Sequence, residues 1–300
     1  MSIDPENVIV GVIGGSGLYS IKEIQDVKEF QIETPYGQPS DLIRVGTLSG
    51  VKVVFLARHG RHHSLTPSEI PYQANIWAMK SLGVKWIISA SAVGSLKQEI
   101  KPLDIVIPDQ FIDNTHDRPF TFFGEGAVAH VSLAEPFCSD LSDIVFNVSN
   151  SLMPKKLSVH RGGTYLCMEG PAFSTRAESK LYKGLGCSII GMTNHTEARL
   201  AREAEIAYTT LAMSTDYDCW HEDYKNVTID MIISNLNANA ELASKIISKS
   251  INQIGSLCPP SIAHEALKDA LITAKENVPK KTRKKINLFT KKYWGDFISD

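Results

Sequence analysis

Short apolar runs recur along the chain, and most of them end in glycine, small polar or charged residues. Val8 to Ile13, Val51 to Ala57, Lys85 to Ser89, Asp104 to Pro108, Gly163 to Met168, Ser188 to Met192 and Ala207 to Met213 each have strand length and β-branched character. Between them the period changes to that of a helix. Tyr72 to Leu82 puts Ala74, Trp77, Ala78 and Leu82 on one stripe and closes at Gly83. Thr175 with Glu178 forms a capping-box signature for a helix up to Leu185, and Asn194 with Glu197 opens another through Ala204. The longest stripe starts near Thr228 and carries Ile229, Ile232, Ile233, Leu236, Ala240, Ala243 and Ile247. Gly255 and Pro259-Pro260 are expected to stop it. Asp109 to His130 is polar and aromatic without a period, and reads as a long irregular excursion. Strands alternating with helices predict a single α/β domain on a mostly parallel or mixed sheet.

The strand ends carry the candidate chemistry, because ligands of open α/β sheets sit outside the carboxyl ends of the strands. After the first run comes Gly14-Gly15-Ser16-Gly17, a turn that lets backbone approach an anion. It lacks the third glycine of a dinucleotide fingerprint, where Ser20 stands, and no Gly-Lys-Ser/Thr follows. After the second comes Arg58-His59-Gly60-Arg61-His62-His63, whose guanidinium suits a phosphate. Its three histidines have no obvious carboxylate partner, so no metal site is assigned. Ala90 to Ser95 offers small side chains and hydroxyls for close backbone approach. At the end of the last run, Asp216 and Asp218 stand two apart and share a face if strand geometry persists. Such a pair can hold two adjacent donors of a flat ring, or one member can stay protonated as a general acid. Each feature also has a plainer reading: an unliganded turn, a solvated basic loop, helix-capping acids, a structural histidine at His130. Their coincidence on one edge of one sheet weighs against all of them being plain.

Composition narrows the partners. The 300 residues suffice for one large α/β domain, the hydrophobic content of 43% is ordinary, and the net charge of -2 argues for neither nucleic acid nor an acidic membrane. Five cysteines without a C-x-x-C pair suggest neither a disulfide framework nor zinc, and fit a reducing cytoplasm. Met1 to Asn7 has no secretory pattern, and no run reaches the ~20 apolar residues of a membrane helix. The expected division is a domain over 1–258 and a lysine-rich tail over 259–300, the latter a peripheral helix or a partly disordered arm with a solvated charged face.

Seven motifs then occur together and in order: Ile13-Gly14-Gly15-Ser16-Gly17-Leu18, Ala57-Arg58-His59-Gly60-Arg61, Tyr72-Gln73-Ala74-Asn75-Ile76-Trp77, Asp109-Gln110-Phe111-Ile112-Asp113, Glu169-Gly170-Pro171 with Phe173-Ser174-Thr175-Arg176-Ala177-Glu178, Gly191-Met192-Thr193, and Thr215-Asp216-Tyr217-Asp218. From about residue 8 to 255 the chain closely resembles the 5'-methylthioadenosine phosphorylases of the trimeric purine nucleoside phosphorylase group. The resemblance implies a central mixed β-sheet flanked by helices, a homotrimer or a dimer of trimers, and no cofactor beyond inorganic phosphate as co-substrate. It implies phosphate at Ser16, Arg58, His59, Ser91, Thr193 and the backbone N–H of Ala92. It places Met192 under the ribose, Asp216 and Asp218 on the purine with Phe173 and Ser174 nearby, and Val227, Ile229, Ile232 and a neighbouring subunit's His130 at the 5' position. Serine stands at 16 and 91 where many relatives have threonine, Ala172 where some have arginine, and Asn194-His195-Thr196 precedes Glu197 where proline is common. The implied reaction is phosphorolysis of methylthioadenosine, with Asp216 assisting adenine departure. The alternatives are a 5'-methylthioinosine or general purine nucleoside phosphorylase and, outside that class, a nucleoside-binding module without catalysis.

Overall fold

The structure is a computed structural model that describes residues 9–15, 18, 21–221 and 229–296, with the side chains of 229–233, 236 and 237 outside that description. In chain order its elements are β1 (Ile9–Gly14), β2 (Gln25–Phe30), β3 (Ile43–Leu48), β4 (Val51–Ala57), α1 (Tyr72–Ser81), β5 (Trp86–Ser95), β6 (Ile105–Ile107), β7 (Gln110–Asn114) and α2 (Ser139–Leu152). They continue with β8 (Val159–Arg161), β9 (Thr164–Met168), α3 (Arg176–Gly184), β10 (Ile189–Gly191), α4 (Asn194–Glu203), β11 (Ala207–Asp216), α5 (Ile229–Leu257) and α6 (Lys280–Trp294).

One strand organises the sheet. The first half of β5 lies between β1 and β11, both parallel to it, with Trp86 opposite Val10 on one side and Ala207 on the other. Its second half turns to β10, antiparallel, with Gly94 opposite Ile190. The sheet therefore forks at β5, with the wing β2-β3-β4-β1 on one arm, β10-β9-β7 on another and β11-β6-β8 on the third. Ala90, Ser91, Ala92 and Gly94 occupy the fork, where small side chains let three neighbours approach. All ten residues of β11 are buried, as expected of a strand covered on both faces.

Alternating side chains feed two apolar layers. Val10 and Val12 of β1 pack with Leu141 and Val145 of α2 and Ile246 and Ile251 of α5. Ile13 packs on the other face with Ile76 and Met79 of α1, Leu200 of α4, and Ile286 and Phe289 of α6. The lysine-rich tail is thus helical over α6 and buries one side. Among the described residues no helix is long and apolar enough to cross a membrane.

Several expectations are corrected. The run predicted to end at Ser89 continues as β5 to Ser95. The stretch read as irregular contains β7, paired in parallel with β9. The exposed β2, its neighbour β3, α2 and β8 have no counterpart among the predicted elements. Gly255 does not stop α5, which runs to Leu257; a Cβ there would lie 2.2 Å from Val51, so the glycine marks a close approach. Thr193, not Asn194, is the N-cap of α4.

Candidate active site

Arg58 follows the last residue of β4, and its own N–H donates to Gly14 O at 2.9 Å, tying the glycine turn to the end of the neighbouring strand. Its side chain is 2% exposed. Glu197 of α4 receives Nε, and Nη2 at 3.0 Å, while Ser89 Oγ and Ala90 O accept from Nη2 and Nη1 at 2.5 and 2.9 Å. Ser89 and Tyr208 in turn donate to Glu197 Oε2 at 2.8 and 2.9 Å. The guanidinium fork expected to face an anion therefore faces Glu197, and what remains toward the turn is the Nη1 edge. A Cβ on Gly15 would stand 2.7 Å from Nη1 and 2.5 Å from Ala90 O, so only glycine fits beside that edge.

His59 is also buried. Its Nδ1 lies 2.8 Å from Leu65 O, and a carbonyl only accepts, so Nδ1 carries the hydrogen and Nε2 keeps a lone pair. Burial, and then the Arg58 charge beside it, push the imidazole down to about 4, which leaves it neutral near pH 7. Its ring stacks on His63 with centroids 4.4 Å apart. Ser91 Oγ lies 3.0 Å from Tyr165 OH, and Ala92 stands opposite Met213 on β11. Thr193 is buried and makes no side-chain capping bond. Met192 lies over Gly170, where a Cβ would come within 2.5 Å of its sulfur. Ser91 is thereby brought toward the Gly191–Thr193 segment through Tyr165, whose hydroxyl a Cβ on Gly191 would overlap at 1.8 Å.

β11 runs past the expected end at Met213 to Asp216, but strand geometry does not persist to Asp218. The register shifts between Ser214 and Asp216, and Asp218 has φ of 50°. The two acids are therefore not successive same-face positions of one strand. They are joined by a turn instead, in which Asp218 N–H donates to Asp216 Oδ1 at 2.7 Å. Thr215 Oγ1 lies 2.6 Å from Asp216 Oδ2. Both carboxyl groups are buried, at 5% and 9% exposure, and burial pushes both up from the usual carboxylate range, with the charge of Asp216 adding to the effect on Asp218. Gly94 of β5 sits beneath the pair, its absent Cβ 3.1 Å from Asp216 Oδ1. Ser174 O accepts from Cys219 Sγ at 3.3 Å, which holds the 169–174 segment against this turn, and Phe173 is exposed.

Other expected residues stand apart. His130 is exposed, and its N–H donates to Ala270 O at 2.9 Å, so within one chain it is not joined to the groups above. Ser16 and Val227 lie outside the described residues, and of Ile229 and Ile232 only the backbone, in the first turn of α5, is described. Asn194 donates to Thr210 Oγ1 at 2.5 Å, six residues before Asp216 on β11 and so about 20 Å along the strand from it. Among the described residues no group of three or more His, Cys, Asp or Glu is placed to hold a metal.

Two residues were missed. Glu197 has the spacing of half a capping box but is buried; its neighbours Ala198, Leu200 and Ala201 are apolar, which marks an acid on the buried face of a helix. Arg118, in the stretch read as irregular, is 4% exposed and clamps the loop: Nη1 donates to Met192 O and, at 3.2 Å, to Tyr72 OH, while Nη2 reaches Glu169 O at 2.6 Å. Nothing in the local sequence around it signals that role.

Residues 9–252 match the family described as the phosphorylase superfamily. The chain is 64% identical over 292 residues to S-methyl-5'-thioadenosine phosphorylase of Prochlorococcus marinus, covering 97% of this chain and 93% of that protein. It superposes on a methylthioadenosine phosphorylase from an antarctic soil metagenomic library with a TM-score of 0.90 and 51% identity, covering 94% of this chain and 99% of the other. A variant of adenosine/methylthioadenosine phosphorylase from Schistosoma mansoni, solved in complex with methylthioadenosine, superposes with a TM-score of 0.80 and 35% identity over 87% of this chain and 96% of that one.

Proposed function

The chain belongs to the phosphorylase superfamily, and from that premise we propose that it cleaves S-methyl-5'-thioadenosine with inorganic phosphate, giving adenine and 5-methylthioribose 1-phosphate. The observation that carries the reading is the buried Asp216 carboxyl at the end of β11, over the same strand β5 that bears Ser91 and Ala92. From Ser91 to Gly94 is three residues, about 10 Å along a strand.

Phosphate is bound at Ser16, Arg58, His59, Ser91, Thr193 and the Ala92 N–H. Arg58 supplies fixed charge and its Nη1 edge, and Glu197 holds it in place. The neutral His59 offers Nε2 to a hydroxyl, either of hydrogen phosphate or of the sugar. Met192, held from behind by Arg118, lies under the ribose. As the glycosidic bond lengthens, the sugar takes on oxocarbenium character, and the phosphate beneath it stabilises that charge before bonding to the anomeric carbon. The electron pair of the broken bond goes to adenine. Asp216 donates its proton to N7, so that the base leaves neutral, and Asp218 with its turn receives the exocyclic amine. Burial of Asp216 favours the protonated form this step needs.

With Asp216 at N7, the Asp218 carboxylate suits the 6-amino group of adenine and would face the 6-oxo group of a hypoxanthine as an unpaired acceptor. Asn194 is bonded to Thr210, level with the Arg58–Glu197 pair, so the departure from the common proline between Asn194 and Glu197 bears on the phosphate end and leaves the base untouched. The enzyme acts as a homotrimer in which His130 of one chain reaches the 5' pocket of its neighbour, works in the cytoplasm in purine and methionine salvage, and needs no cofactor. Free adenine released from methylthioadenosine, measured with and without phosphate, tests the reading. Release only with phosphate supports it; a protein that binds the nucleoside and releases no base in either condition is a binding module.

A further inference from the structure

Thr215 has one hydroxyl hydrogen and two acceptors within reach. Its Oγ1 is 2.6 Å from Asp216 Oδ2 and 3.2 Å from Val93 O of β5. It is 2% exposed, so water does not compete for that hydrogen. Its backbone is fixed as well, because Asn235 Nδ2 of α5 donates to Thr215 O at 2.7 Å. A rotation about one bond is enough to move the hydrogen from one acceptor to the other.

We infer that Thr215 is a positioning residue for the acid step, its hydroxyl turning from Val93 O to Asp216 Oδ2 as Asp216 gives up its proton. The inference rests on the purine reading of Asp216. Before transfer, Asp216 is a neutral acid and the Thr215 hydrogen is shared with the Val93 carbonyl. During transfer, the Asp216 proton passes to N7 of the departing base and the carboxylate keeps the bonding pair. The Thr215 hydrogen stays covalently on its own oxygen and turns to the new negative charge. A bond to a charged acceptor is stronger than one to a neutral carboxyl, so the hydroxyl favours the state after transfer. The Asp218 N–H, at 2.7 Å from Oδ1, supports the same carboxylate from its other oxygen.

Among the described residues the titratable groups around the pair are Asp218 itself, Cys219 beside it, and Tyr182 and Arg176 of α3, the arginine acting on Cys219. β5 contributes Val93 and Gly94, and α5 contributes Asn235, none of them charged. Among the described residues the groups that act on the Asp216 carboxyl are two donors, the Thr215 hydroxyl and the Asp218 N–H, and together with burial they set its acidity.

The test is the pH profile of methylthioadenosine cleavage for Thr215→Val and Thr215→Ser, with Asp216→Asn alongside. Valine keeps the shape and removes the donor. It should lower kcat by ~10- to 100-fold, the worth of a hydrogen bond to a charged group. It should also move the alkaline limb of kcat/KM to higher pH, because a carboxyl without that donor holds its proton longer. Serine should restore both. A valine profile that superimposes on the wild type overturns the inference, and so does a serine variant as impaired as valine. If Asp216→Asn itself keeps full activity, the purine reading fails instead.

Discussion

At the scale of single residues, two buried carboxyl groups have different tasks. Asp216 is held where burial favours its protonated form. Asp216→Asn should lower turnover of methylthioadenosine by ~10²–10⁴-fold, the usual worth of a general acid, and raise turnover of inosine-type nucleosides. Steady-state kinetics on both substrate classes would show it, and unchanged methylthioadenosine turnover would refute the assignment. Glu197 touches no expected substrate atom. Glu197→Ala would leave the Arg58 charge buried without its counterion, at a cost of about 3–5 kcal/mol, read from denaturant unfolding. A loss under 1 kcal/mol would mean that Ser89 and Ala90 hold Arg58 unaided.

At the scale of elements, the site depends on where strands stop and how closely their ends meet. Gly15→Ala sets a methyl group against Ala90 O and Arg58 Nη1. It is expected to raise KM for phosphate at least 10-fold while KM for the nucleoside changes little. A second element contact is pH-dependent. Glu203 of α4 accepts from Thr121 Oγ1 at 2.8 Å and Phe122 N–H at 2.7 Å, and burial pushes it up to about 7. Its folded value lies above the unfolded one, so its contribution is full below about 4.5 and fades as pH rises to about 7. Glu203→Gln should therefore gain stability relative to the wild type over that window, by up to about 3 kcal/mol. A difference that stays constant with pH would contradict it.

The elements also show what was legible beforehand. β4 and α1 were plain because their apolar residues follow one period and a turn signal ends them. β5 was cut short because Ala90, Ser91, Ala92 and Gly94 look like a loop in sequence and are small only to admit three neighbouring strands. β2 was invisible because all six residues are exposed and no face alternates. Arg58 and Asp216 stand at the ends of β4 and β11, where a sequence pattern points to them, whereas Arg118 and Glu197 act through contacts 74 and 139 residues away, which no local pattern reports.

At the scale of the whole molecule, the C-terminal segment closes over the fold. Glu205, just past α4, accepts from Leu267 N–H at 3.1 Å and from Tyr293 OH, and Lys292 lies 3.6 Å away. Thr282 Oγ1 donates to Glu125 O at 2.7 Å, so α6 also braces the segment leading to His130. The backbone of that segment pairs with residues 270–273, and Val128 and Ile272 there remain exposed. The homotrimer proposed above would need such an exposed histidine on the edge between its subunits. The central claim is chemical, however: the glycosidic bond is broken by phosphate. Following methylthioadenosine with enzyme and phosphate by phosphorus NMR, alongside adenine release, tests it most directly. The account predicts 5-methylthioribose 1-phosphate appearing in step with adenine, one for one; adenine accompanied by free 5-methylthioribose and an unchanged phosphate signal would contradict it.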